Sequence, residues 1–217
     1  MAAKRKRPKD RPSLRYVALG DSYTIGTATR TDEERWPNQL VERLGEGRAP
    51  GAPPPLELVA NLGVNGFTSR DLIGVELPRL DALRPDVISV LIGVNDVVRG
   101  VPALTYAANV QLILDALAGR VGPKRVFAVT TPDYTVTPQG AAYGDPAENA
   151  AAIVAFNEIM SAGAAARGIA IVDIHDISLE AADDRSLVAD DGLHPSGAQY
   201  ARWIERIAPA VERLIRS

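Results

Sequence analysis

Residues 14–23 read Leu-Arg-Tyr-Val-Ala-Leu-Gly-Asp-Ser-Tyr, an apolar run that leads into a turn and a hydroxyl group. The run is apolar at nearly every position and does not alternate, which is typical of a strand that is covered on both faces. Four further runs have the same character, at residues 56–60, 87–92, 125–130 and 169–174. The five runs predict a five-stranded parallel sheet, with the first strand over residues 14–19.

Segments with helical spacing follow these runs. The first extends from Trp36 to Gly45, and the second opens at Thr68 and is expected to end at Pro78. The others are expected at 103–117 before Gly119, at 147–166 before Gly168, and from Pro195 to the end of the chain. The alternation of strands and helices predicts a three-layer α/β/α sandwich with right-handed crossovers.

In an open parallel sheet the ligand crevice lies at the carboxyl ends of the strands. We therefore expect the functional residues in the loops that follow the strands. Two long Pro- and Gly-containing segments, 45–55 and 131–146, are predicted to be surface loops, and the second is a candidate wall or flap over the site.

The composition is that of a globular protein, with 46% apolar and 24% charged residues in a chain of 217. A domain of this length buries roughly 70% of the surface of its unfolded chain, so its stability requires neither a metal nor a disulfide. The absence of cysteine excludes thiol nucleophiles, cysteine-based zinc sites, iron–sulfur clusters and disulfides. No cluster of histidines and carboxylates indicates a metal, and we expect no cofactor.

Charge is unevenly distributed along the chain. The net charge is −3, but residues 1–12 hold six Lys and Arg side chains against Asp10, so this segment carries +5 and the rest −8. We expect a disordered basic tail over 1–13 and a single domain over 14–217, and the acidic body argues against nucleic-acid binding. No window reaches the roughly 18 apolar residues of a membrane span, and the first residues lack the apolar part of a signal peptide. The expected location is cytoplasmic, although a removed leader would leave the same sequence.

Ser22 follows the first predicted strand, at the edge of the sheet where a nucleophile is expected. A serine hydroxyl requires a base within hydrogen-bond reach and a group that orients the base. His194 lies three residues after Asp191, close enough for one turn to bring the carboxylate to the imidazole. His175, after the fifth strand, is the second choice as base. Each residue also has an ordinary explanation, as a turn residue or a helix cap.

Hydrogen-bond donors for a developing oxyanion are predicted in two further loops. Gly66 precedes a helix start and can present a bare N–H, and Asn95 offers a side-chain amide. Four separate loops thus carry the parts that acyl transfer needs.

These residues resemble the four sequence blocks of the SGNH (GDSL-type) hydrolases: Gly-Asp-Ser at 20–22, the glycine at 66, Gly-x-Asn-Asp at 93–96 and Asp-x-x-His at 191–194. The similarity runs in order from residue 16 to about 200, and the spacing within the second block favours Gly66 over Gly63. Tyr23 departs from the leucine of the GDSL name, a familiar variation in this superfamily.

The resemblance implies a flavodoxin-like α/β/α fold and a serine esterase that acts through an acyl-enzyme. Ser22 would be the nucleophile, His194 the base and Asp191 its partner. The oxyanion hole would consist of the N–H groups of Ser22 and Gly66 and the side chain of Asn95. Asp21 and Asp96, next to these residues, would hold the loops.

The substrate is expected to be a small ester, because aromatic residues are only 5% of the chain and the loops between the blocks are short. Short-chain acyl or acetyl esters are favoured, while thioesters, lysophospholipids and acetylated sugars stay open. Six residues are candidates for lining the pocket: Tyr23, Thr24, Val97, Val98, Tyr134 and Tyr143.

Two alternatives from other classes stay open, a module that binds acyl groups without catalysis and a flavodoxin-like binding domain. The sequence lacks a Gly-x-Ser-x-Gly elbow, a dinucleotide fingerprint and a Walker loop, which argues against an α/β-hydrolase and against a phosphate-binding site. The oligomeric state and the role of the basic tail cannot be predicted from the sequence.

Overall fold

A computed structural model describes residues 13–46 and 52–216. Residues 1–12 of the expected basic tail at 1–13 and the middle of the 45–55 loop lie outside the described residues. The described residues form one five-stranded sheet in the order β2-β1-β3-β4-β5, with all four neighbouring pairs parallel. The strands are β1 (Leu14–Gly20), β2 (Leu56–Asn61), β3 (Val87–Leu91), β4 (Val126–Val129) and β5 (Ala170–Val172).

The predicted three-layer sandwich is confirmed. Helix α2 (Trp36–Gly45) packs against α9 (Gly197–Arg216) in one layer, and α6 (Ala103–Val121) packs against α7 (Pro146–Ala165) in the other. The short helices are α1 (Ser22–Ile25), α3 (Ser69–Asp71), α4 (Leu80–Leu83), α5 (Val94–Val98) and α8 (His175–Leu179). Among the residues that the structure describes, no helix has the length and apolarity needed to cross a membrane.

The continuous apolar runs are explained by burial on both faces of the sheet. Every residue of β3 and β4 is buried. The register pairs Tyr16 with Val87 and Gly20 with Leu91, so β1 and β3 end at the same edge. That edge is where the loops carrying Ser22 and Asn95 begin.

Two predicted helix ends are wrong. The helical segment that opens at Thr68 does not end at Pro78 but continues through a π turn (Leu72–Glu76) and a 3₁₀ turn (Leu77–Arg79) into α4. Pro78 is accepted because it lies in the first turn of the 3₁₀ segment, where its missing N–H costs little. Helix α6 likewise passes Gly119, where a side chain would meet only open space, and ends at Gly122 with φ 86°.

Candidate active site

Ser22 lies at the start of α1, directly after the end of β1. Asp21 caps this helix through a 3.0 Å hydrogen bond from the Tyr23 N–H to its Oδ1. Gly20 makes the tight exit from the strand possible, because its φ is 151° and a Cβ there would lie 2.1 Å from the Leu91 carbonyl oxygen. This local geometry holds the Ser22 side chain, which is 7% exposed, at the edge of the sheet.

His194 and Asp191 lie on one turn before α9. The Asp191 Oδ1 accepts the backbone N–H groups of Leu193 and His194 at 2.9 and 3.0 Å, and Oδ2 lies 2.6 Å from the His194 Nδ1. Partial burial raises the pKa of Asp191, but the hydrogen bonds from the imidazole and the two amides outweigh it and hold this pKa below its usual range. Asp191 is therefore a carboxylate. It orients the imidazole through Nδ1, and this contact does not use the second ring nitrogen, Nε2.

Gly66 lies in a tight turn that is closed by a 3.2 Å hydrogen bond from the Phe67 N–H to the Val64 carbonyl. Its φ of 78° is the left-handed value that the third position of a type II turn requires. No described residue accepts a hydrogen bond from the Gly66 N–H. The donor is therefore available to a ligand.

Asn95 lies in the first turn of α5. One N–H of its side-chain amide donates to the Phe67 carbonyl at 2.9 Å. An amide carries two N–H donors, so the second one is left for a ligand. The same contact ties the Asn95 side chain to the loop that holds Gly66.

A second contact joins these two loops below the surface. Asp96 accepts the Ser69 N–H at 2.8 Å and the Ser69 hydroxyl at 2.6 Å, and both residues are fully buried. Thr68 and Asp71 form a capping box at the start of α3. Asp96 thus has the loop-holding contacts that the sequence indicated.

These elements surround one cavity of about 230 Å³ at the carboxyl edge of the sheet. Residues from the four sequence blocks and from the 131–146 loop line it: Ser22, Tyr23, Asn65, Gly66, Val94, Asn95, Val98, Tyr134, Tyr143, Leu193 and His194. The structure therefore brings together the predicted nucleophile, base and oxyanion donors. The aromatic rings of Tyr23 and His194 are 5.7 Å apart between centroids, so Tyr23 forms a side wall for the imidazole.

Four of the six candidate pocket residues line the cavity, namely Tyr23, Val98, Tyr134 and Tyr143, and two do not. Thr24 is fully buried, and its hydroxyl turns back toward the Leu19 carbonyl at 3.4 Å. Val97 is only 8% exposed and belongs to the core. Both are among the buried residues of short helices, α1 and α5, and adjacency to a motif in the sequence does not reveal this burial.

Sequence reasoning missed Asn65, Val94 and Leu193 as lining residues. Each of them lies inside or next to one of the four blocks, so adjacency to the motifs was the signal that could have found them. His175, the second choice as base, does not line the cavity. Its Nε2 is buried 3.8 Å from the Asp133 Oδ2.

Buried carboxyl groups lie behind the nucleophile, and one of them was not anticipated. Glu76, fully buried in the π turn, accepts the Gly20 N–H at 2.9 Å. Burial raises the pKa of Asp21 to about 8 and that of Glu76 to about 9. The nearby Asp96 carboxyl raises the pKa of Asp21 further, and Asp21 in turn raises that of Glu76. Burial also raises the pKa of Asp96. At neutral pH the buried carboxyl groups below the site therefore keep protons that exposed carboxyl groups would have lost.

Comparison with known proteins identifies the family. A sequence profile of the GDSL-like lipase/acylhydrolase family matches residues 18–202, which is more than half of the chain. A search of the curated proteins found no match.

Solved structures share the fold at low sequence identity. A lipase/acylhydrolase from Enterococcus faecalis is 19% identical, with a TM-score of 0.67 over 92% of this chain and 96% of that one. The acetylxylan esterase Axe2 from Geobacillus stearothermophilus is 20% identical, with a TM-score of 0.67 over 93% and 94%. The psychrotrophic esterase EstA from Pseudoalteromonas sp. is 18% identical, with a TM-score of 0.67 over 94% and 100%. The chain therefore belongs to the GDSL-like lipase/acylhydrolase family and is a hydrolase of ester substrates.

Proposed function

We propose that this protein is a serine esterase that hydrolyses short-chain acyl or acetyl esters through an acyl-enzyme on Ser22. The observation that carries the proposal is that Ser22, Gly66, Asn95 and His194 line one cavity, while Asp191 holds the imidazole at 2.6 Å. A nucleophile, a base, an orienting carboxylate and two oxyanion donors are the parts that acyl transfer requires.

In this mechanism His194 removes the proton of the Ser22 hydroxyl as the oxygen attacks the ester carbonyl. Asp191 keeps Nδ1 protonated, so that Nε2 acts as the base. The oxyanion receives hydrogen bonds from the N–H groups of Ser22 and Gly66 and from the Asn95 side chain. His194 then gives the proton to the leaving alcohol, and water, activated in the same way, releases the acid and restores the serine.

The size and chemistry of the cavity support a small, uncharged acyl group. Its volume of about 230 Å³ lies below the roughly 300 Å³ at which drug-sized ligand sites begin. Among the residues that the structure describes, its lining contains no Lys, Arg, Asp or Glu, and Val94, Val98, Tyr134 and Leu193 contribute apolar surface. A long acyl chain would have to extend past the rim, where Tyr143 is 44% exposed.

The test is active-site labelling combined with kinetics. A fluorophosphonate probe is expected to label the wild-type protein and not Ser22→Ala, and the variant is expected to lose turnover of p-nitrophenyl acetate by at least about 10⁴-fold. Across p-nitrophenyl esters from acetate to decanoate, kcat/KM is expected to be highest for the short chains.

Ser186→Ala is the matched control, because Ser186 is exposed and its hydroxyl donates to the neighbouring Asp184 at 2.6 Å. It is expected to match the wild type in labelling and turnover. Labelling and turnover that survive in Ser22→Ala would overturn the proposal, and a wild-type protein that binds esters without hydrolysing them would favour the non-catalytic module.

A further inference from the structure

Two of the proposed oxyanion donors come from different segments, so their relative position must be fixed by contacts between those segments. The Gly66 N–H belongs to the turn before α3, and the Asn95 amide belongs to α5. Asn95 contacts Phe67 and Asp96 contacts Ser69, but neither contact touches Gly66 itself.

Arg99 supplies the contact to Gly66. It lies one helical turn after Asn95, at the end of α5, and its Nη2 donates to the Gly66 carbonyl at 2.6 Å. Its Nη1 lies 4.0 Å from the Asp71 Oδ2, and Asp71 closes the capping box of α3. The guanidinium therefore spans from the Gly66 turn to the start of the following helix.

The orientation of this turn decides where the Gly66 N–H points. In a tight turn the plane of the central peptide can rotate as a unit. This rotation points the N–H of that peptide toward the opposite face of the turn. The central peptide here joins Asn65 to Gly66. The side-chain contacts from α5 hold the next two carbonyls, those of Gly66 and Phe67, and so restrict movement of the turn relative to Asn95.

We propose that Arg99 is a positioning residue that holds the Gly66 N–H in register with the Asn95 amide, so that both donate to the same oxyanion. This inference rests on the proposed function, because it assumes an oxyanion in the cavity. Arg99 does not line the cavity and acts only through Gly66.

The exposure of Arg99 separates this role from a contribution to stability. Its side chain is 57% exposed, and exposed ion pairs and hydrogen bonds of this kind contribute little to folding. Lysine is a poor replacement, since a single ammonium lacks the planar fork that reaches two acceptors.

The experiment compares Arg99→Met, Arg99→Lys and the control Arg70→Met in the full-length protein. Arg70 is exposed on the neighbouring helix α3, and no described residue accepts a hydrogen bond from its side chain. For p-nitrophenyl acetate, Arg99→Met is expected to lower kcat about tenfold, less than the 10²- to 10³-fold loss of a whole donor, with KM within about twofold of wild type. The kcat of Arg99→Lys is expected to lie between those of Arg99→Met and the wild type, and the kcat of Arg70→Met is expected to match the wild type. All melting temperatures are expected to agree within about 2 °C.

A thionoester of the same acyl group provides the readout that a structural role would not change. Sulfur accepts hydrogen bonds more weakly than oxygen, so the penalty of Arg99→Met is expected to shrink with this substrate. An equal penalty for both substrates, or an unchanged kcat, would overturn the inference. So would a defect confined to KM for an ester with an anionic acyl group, because Arg99 would then bind substrate directly. Failure of the proposed function is distinguished by the wild type, which would neither hydrolyse the ester nor take the fluorophosphonate label.

Discussion

The two halves of the candidate site are built differently. The half that holds Ser22, Gly66 and Asn95 rests on fully buried side chains, and its ties join residues far apart in sequence, such as Ser69 and Asp96. The half that holds His194 is a turn near the surface, and the Asp191 side chain is 34% exposed. Several of its hydrogen bonds are local, from the His194 N–H to the Asp191 Oδ1 and from the Ala189 N–H to the His194 carbonyl.

This difference matches what each half is proposed to do. Donors that stabilise a developing charge are effective when they are fixed before the reaction, so a rigid and buried support is expected for them. The imidazole must be reached by the hydrolytic water during each turnover, so a turn close to the surface suits the proposed base. One buried hydrogen bond, from the Tyr200 hydroxyl to the Tyr23 carbonyl at 3.0 Å, links the two halves.

The largest expected effect tests whether the exposed half is as necessary as the buried one. Asp191→Asn is expected to lower kcat by about 10⁴-fold, because an amide can hold the imidazole in the wrong tautomer. Steady-state hydrolysis of p-nitrophenyl acetate measures the loss. Asp190→Asn is the control, since this neighbour has an 86% exposed side chain that pairs with Arg30 at the surface. If both variants retain wild-type turnover, the turn does not supply the orienting carboxylate.

A smaller effect is expected from removal of one donor in the buried half. Asn95→Ala is expected to lower kcat by about 10²- to 10³-fold, with a smaller change in KM, because the amide acts most strongly on the transition state. The same kinetic assay measures it, with Asn38→Ala on the distant helix α2 as control. A change in KM alone would mean that Asn95 binds the ground state of the substrate and not the oxyanion.

The smallest effect concerns stability and the protons retained below the nucleophile. Because the pKa of Glu76 is about 9 in the folded protein, the native state keeps a proton that the unfolded chain loses near pH 4. The free energy of unfolding should therefore decrease as pH rises from about 4 to about 9. Glu76→Gln removes this proton but keeps an acceptor for the Gly20 N–H.

Urea unfolding at several pH values between 5 and 9 measures this dependence. The curve of Glu76→Gln is expected to be shallower than that of the wild type, with the largest gain in relative stability at pH 9. Asp21 retains its own contribution, so the dependence does not vanish. Two parallel curves would show that Glu76 is already ionised in the native protein.

The sequence predicted what depends on local pattern and missed what depends on distant partners. The strands were evident because burial on both faces leaves a continuous apolar run. The Asp191–His194 contact was predicted because it closes within one turn. Glu76 gave no signal, because its acceptor role depends on a strand end that is 56 positions away in the chain. The continuation of α6 past Gly119 was missed because the low helix propensity of glycine does not by itself end a helix. The surroundings of the glycine decide whether the helix ends there.

The 131–146 loop does more than wall the cavity. The Gln139 N–H donates to the Gly192 carbonyl at 3.0 Å, and a Cβ on Gly192 would lie 3.1 Å from the Gln139 side chain. The loop that lines the cavity is therefore fastened to the turn that carries the imidazole. Engineering of chain-length preference through this loop should leave the backbone at position 139 intact, since a library that displaces it would alter turnover together with selectivity.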